Sequence, residues 1–241
     1  MGCFGMGERM EQNILNKRRF WTASKEIEVY PSDTPGRPVI YLNTFRKEGD
    51  SVYQALCGRR RPDFTLVAIS GLEWNHDMAP WDIPPISKND TPCTGGADDY
   101  LALLTGEILP EAERFVEGEA LWRGLAGYSL AGLFALYAAC QTDLFSRIAS
   151  ISGSLWFPDF QEYVFSHEMK IVPERLYLSL GDRESRTRNP YLKTVQERTE
   201  AIYAFFRQKG METIYQRNPG NHFQNEVERT ESGIAWLLEK E

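Results

Sequence analysis

Ser129 stands in the run Gly124-Leu-Ala-Gly-Tyr-Ser-Leu-Ala-Gly132, with Gly127 two residues before it, Ala131 two residues after, and Gly132 next. A serine hydroxyl attacks an acyl carbon only when it projects clear of its own backbone, and a sharp strand-to-helix turn achieves this by straining the residue at its apex. Such a turn accepts only small neighbours. GYSLAG differs from Gly-x-Ser-x-Gly by one methyl group, at Ala131, and the apolar run Leu133–Cys140 after it reads as a helix buried against a sheet. The chemistry this predicts is nucleophilic attack by Ser129 on an acyl carbon; the plain alternative is a Gly-Ser turn ahead of a core helix.

A serine at its ordinary pKa needs a base within hydrogen-bond reach, and the base needs a group to orient it. The chain has three histidines. His222, in the loop segment Pro219-Gly-Asn-His-Phe223, is the expected base; His76 precedes the nucleophile, and His167 lies in a polar stretch that reads as surface. The chain order nucleophile, acid, histidine places the acid after the strand predicted at 175–180, where Asp182 and Glu184 both stand. Glu184 is preferred because it lies farther beyond the strand end, and Asp182 remains its rival. The carboxylate would hold the imidazole in the tautomer that accepts the serine proton. The oxyanion would be bound by the backbone N–H of Leu130 and by a second amide near Phe45.

Strands are predicted at 26–30 (an outer strand with one wet face), 37–42, 64–69, 121–128, 147–152, 175–180 and 211–216, alternating with helical patterns. That alternation predicts an α/β fold with a mostly parallel central sheet and helices on both faces. Ligands of such sheets bind beyond the carboxyl ends of the strands, where Ser129, Glu184 and His222 would all project. The helix from Ala97 is expected to kink at Pro110. The loop from 72 to 96 carries Trp74 and Trp81, and these two with Trp156 are candidates for an aromatic-lined substrate pocket or, equally, for caps on the core. Arg183, Arg186 and Arg188 could attract an anionic substrate or be solvated surface. Residues 1–20 read as an N-terminal extension and 21–241 as one domain.

With these residues placed, the chain resembles the "putative esterase" family of α/β-hydrolases, the esterase D-like group that includes the enterochelin and bacillibactin trilactone esterases. The resemblance rests on PVIYL at 38–42, GGADDYLALLTGEILPEAE at 95–113, GYSLAG at 127–132, SGSLWF at 152–157, LSLGDRE at 178–184 and GNHF at 220–223. It departs at Asn43-Thr-Phe45, where an esterase often has His-Gly, and at the Trp-rich segment 72–81. It implies an α/β-hydrolase fold and a serine esterase that needs no metal or other cofactor. Acyl transfer to a small alcohol or sugar, or a binding protein that kept the fold without turnover, are the competing functions.

Composition narrows the field. Of 241 residues, 42% are hydrophobic and 25% charged, with a net charge of −7, which argues against nucleic acid as a partner. No apolar run reaches the roughly 20 residues that would cross a bilayer. Cys3, Cys57, Cys93 and Cys140 are too scattered for a zinc site or a disulfide framework and are expected as free thiols. The expectation is a cytoplasmic enzyme with a small-molecule ester substrate, as monomer or homodimer.

Overall fold

The computed structural model describes residue 14 and residues 16–58, 63–169 and 172–239. Its strands are β1 (Arg18–Thr22), β2 (Lys25–Tyr30), β3 (Val39–Asn43), β4 (Thr65–Ser70), the two-residue β5 (Asp82–Ile83) and β6 (Cys93–Thr94), β7 (Arg123–Tyr128), β8 (Arg147–Ile151), β9 (Arg175–Gly181) and β10 (Glu212–Asn218). Eight of them form one sheet in the order β1-β2-β4-β3-β7-β8-β9-β10, while β5 and β6 pair only with each other. Every pairing from β4 to β10 is parallel, and β1–β2 and β2–β4 are antiparallel. Strands β3, β4, β8 and β9 are buried at every residue, as expected for strands covered on both faces, while the edge strand β10 is only partly buried.

Helices cover both faces: α1 (Gly49–Cys57), α2 (Trp74–Asp77), α3 (Ala97–Leu103), α4 (Leu109–Glu113), α5 (Leu130–Gln141), α6 (Phe160–Ser166), α7 (Val195–Gln208) and α8 (Glu226–Leu238). Successive strand residues point to opposite faces. Val39, Tyr41 and Leu125 therefore pack with α3, α5 and α7, whereas Ile40, Leu42 and Ala126 pack with α1 and α8. Helix α5 is buried all round except at its last residue, Gln141. Between α3 and α4 the chain widens into a π-turn, Leu104–Ile108. Pro110, expected to kink this helix, has no N–H to give to the carbonyl four residues back, and the widened turn directly precedes it.

Two expectations are corrected at the sheet edge. Residues 18–20, assigned from sequence to the extension, lie in β1, and β2 is an inner strand rather than an outer one. Phe20 opposes Ile27 and packs on the core, while Arg19 binds Glu28 at 2.5 Å and Glu26 at 3.1 Å. These contacts pair the edge of β2, which the alternation of Glu26-Ile-Glu-Val-Tyr30 suggests would be wet. The rest of the expected extension, residues 1–13 and 15, lies outside the described residues. The 72–96 loop holds α2, β5 and β6, and a buried Lys25–Asp77 ion pair of 2.5 Å ties α2 to β2.

Candidate active site

Ser129 occupies the turn between β7 and α5 with φ +60° and ψ −123°, a conformation costly for any residue with a side chain. Four backbone hydrogen bonds hold it there. Its N–H donates to the Ile151 carbonyl at 3.1 Å, and its own carbonyl accepts from Gly132 at 3.0 Å, Leu133 at 3.1 Å and Ser154 at 3.0 Å. A Cβ on Gly127 would lie 2.4 Å from the Ala131 carbonyl and 2.6 Å from the Ala131 methyl. The missing side chain at 127 is what lets this turn accept alanine where the motif has glycine.

His222, in the loop between β10 and α8, places Nε2 2.9 Å from the Ser129 Oγ and Nδ1 2.7 Å from the Glu184 Oε2. The three side chains come from the ends of β7, β9 and β10, the carboxyl rim of the sheet. Glu184 is the acid on the imidazole; its side chain is 4% exposed. Its other oxygen accepts from the Gly181 N–H at 2.6 Å and from Arg229 at 3.0 Å. Asp182, the rival, does not meet His222: it accepts the Gly220 N–H at 2.8 Å and so braces the loop that carries the histidine. The other two histidines are engaged elsewhere, His76 with Thr94 and His167 with Tyr163.

Sequence reasoning missed Arg229 and Tyr128. Arg229, on the first turn of α8 and 2% exposed, donates to Glu184, to the Pro219 carbonyl at 2.8 Å, and to the hydroxyls of Ser152 and Tyr128, each at 3.2 Å. Tyr128 in turn donates to the His222 carbonyl at 2.7 Å. Burial is the main cause raising its hydroxyl pKa, so it stays a donor at neutral pH. The available signal was a single arginine in the terminal helix, close to the apolar positions Val227 and Ile234 of its inner stripe.

Two clefts meet at Ser129. The smaller, about 230 Å³, is lined by Leu42, Phe45, Val52 and Val227 among others, and the larger, about 490 Å³, by Ile83, Ile86, Trp156 and Val195 among others. Trp74, His222 and Phe223 border both, so the indole and the phenyl form the ridge between them. Phe45 lies beside Ser129 in the smaller cleft, and its ring stands 4.9 Å from that of Trp74. Leu130 lines the larger; as the first residue of α5, its N–H has no helical carbonyl to pair with. Trp81, a candidate for either pocket lining or core cap, borders neither cleft. Its indole packs on Phe157, Phe160 and Tyr163 and donates to the Pro158 carbonyl at 3.2 Å, so it caps the core. Arg183, Arg186 and Arg188 are exposed and also line neither cleft. Cys93 lines the larger cleft, but burial pushes its thiol up to about 11, and it is no thiolate nucleophile there.

Comparisons with known proteins place the chain in a family and a fold. A family model described as "Putative esterase" matches residues 47–225. An uncharacterized protein of Bacillus subtilis (strain 168), YbbA, is 26% identical over 188 residues, which is 75% of each chain. Among solved structures, the siderophore hydrolase EstA from Aspergillus nidulans matches with a TM-score of 0.72 and 20% identity, over 92% of this chain and 93% of that one. An IroE-like serine hydrolase from Shewanella oneidensis gives 0.74 and 18%, over 92% and 79%. The BES protein from Bacillus cereus gives 0.71 and 19%, over 93% and 97%. At these identities the structures establish the shared fold.

Proposed function

The chain belongs to the "putative esterase" family, and from that premise we propose that it hydrolyses a carboxylic ester through an acyl-Ser129 intermediate. The observation that carries this reading is the continuous contact from Ser129 Oγ to His222 at 2.9 Å and from His222 to Glu184 at 2.7 Å. Ser129 Oγ attacks the carbonyl carbon and gives its proton to His222 Nε2. Glu184, accepting from Nδ1, stabilises the imidazolium. The N–H groups of Leu130 and Phe45 bind the oxyanion, a pair in which losing one donor costs about 10²–10³ in rate. Collapse expels the alcohol, which takes the proton from Nε2. Water then attacks the acyl-serine, gives its proton to Nε2, and the same proton returns to Oγ as the acid leaves.

Transfer of the acyl group to an alcohol uses the same residues, with the alcohol in place of water; two clefts meeting at Ser129 leave room for such an acceptor. The free thiols of Cys93 and Cys140 favour a reducing, cytoplasmic setting for this activity. No helix among the described residues is long and apolar enough to cross a membrane. The test is fluorophosphonate labelling and p-nitrophenyl ester hydrolysis by wild type and Ser129→Ala. The wild type should label on Ser129 and hydrolyse the ester, and the variant should lose the label and about 10⁴ or more in kcat. An unlabelled wild type would point to a binding protein instead. Glycerol in the same assay, with an acyl-glycerol product, would identify acyl transfer.

A further inference from the structure

The larger cleft combines aromatic and aliphatic walls with uncharged hydrogen-bonding groups from Asn75, Asn89, Thr91 and Ser154, and among the described residues no lysine or arginine lines it. Among the described residues its two acidic residues are Glu184, already engaged by His222 and Arg229, and Asp90, which accepts from the Ser87 hydroxyl at 2.6 Å. Among the described residues the smaller cleft has one cation, Arg46, against two carboxylates, Glu48 and Glu226. The arginines that could have countered this, at 183, 186 and 188, stand outside both clefts. A carboxylate or other anion moved from water into such walls loses its hydration and gains no cationic partner in the larger cleft and a carboxylate excess in the smaller.

Resting on the ester-hydrolase reading, we infer that the substrate is an ester with no negative charge on either its acyl or its alcohol half, and that the acidic clefts select against anionic esters. Aryl and aliphatic groups find the indoles of Trp74 and Trp156, and hydroxyl or amide groups find the asparagines and threonine. Discrimination of this kind works through the unpaired charge of the wrong substrate rather than through tighter grip on the right one.

The experiment uses the full chain and two matched ester pairs. One carries the charge on the acyl side, p-nitrophenyl hemisuccinate against its methyl ester; the other carries it on the alcohol side, 4-carboxyphenyl butyrate against its methyl ester. In each pair the neutral member should show a kcat/KM roughly tenfold to 100-fold higher, since an unpaired or like charge at a contact costs on the order of one to a few kcal/mol. Asp90→Lys, which puts a cation in the larger cleft, should narrow at least one of the two ratios by about tenfold. An anionic ester turned over as well as its neutral partner by wild type would overturn the inference while leaving the esterase reading intact. Ratios unmoved by Asp90→Lys in a variant with wild-type Tm would also overturn it. Turnover of neither member of either pair would remove the esterase reading itself, and the inference with it.

Discussion

The turn from Gly181 to Glu184 has two faces with the same chemical inventory and opposite consequences. On the inner face the Glu184 carboxylate, 4% exposed, meets Arg229, 2% exposed, and both are tied to His222, Tyr128 and Ser152. On the outer face the Asp182 carboxylate, 42% exposed, lies 3.9 Å from Arg183, 64% exposed, with Arg186 and Arg188 beyond it in solvent. A carboxylate and guanidinium groups occur on each face. What differs is access to water, which screens the outer pair to near zero net effect and leaves the inner pair dependent on each other.

Glu184→Gln breaks the inner face most severely. The amide cannot stabilise the imidazolium, and kcat should fall by about 10³–10⁴. A steady-state assay reads this directly, and a fall under tenfold would return Asp182 to the role of acid. Arg229→Met should come next. It leaves a buried carboxylate without its cation and should cost about 3–5 kcal/mol of stability. Urea unfolding would show a lowered midpoint; an unchanged one would mean that solvent reaches Glu184. Tyr128→Phe removes one hydrogen bond to the His222 carbonyl and should cost about 1 kcal/mol of stability, with kcat reduced at most roughly tenfold. On the outer face, Asp182→Asn keeps an oxygen that can accept the Gly220 N–H, and this variant and Arg186→Ala should each fall within about 0.5 kcal/mol of wild type by thermal unfolding. A larger loss from either would erase the contrast between the faces.

Much of this architecture was legible in the chain. Runs such as Pro38–Leu42 and Phe64–Ile69 carry apolar residues at successive positions with almost no polar alternation, and a strand covered on both faces leaves that signature. Ser129 and His222 were legible because their neighbours are turn residues at strand ends. The choice between Asp182 and Glu184 was not, since it depends on which carboxylate is drawn inward by Arg229 from a helix some forty residues on. Trp81 and Trp74 look alike in sequence, yet one caps α6 and the other walls a cleft, a difference set by the path of the 72–96 loop. Strand β1 escaped notice because Arg-Arg-Phe-Trp-Thr carries its charges to an edge, where solvent and Glu28 both satisfy them.

The hydroxyl of Tyr128 reaches from the residue before Ser129 to the backbone of His222, across the two strands that separate β7 from β10. Those strands set the serine and the histidine three sheet spacings apart in origin, about 14 Å at the usual interstrand distance. A twisting sheet does not keep such a span constant by itself. Because a phenol on β7 clasps the loop leaving β10, fraying of that outermost strand cannot proceed far without also releasing the imidazole. Turnover in this protein therefore doubles as a gauge of order at the β10 edge, and heat or denaturant that loosens this margin should extinguish hydrolysis in step with it.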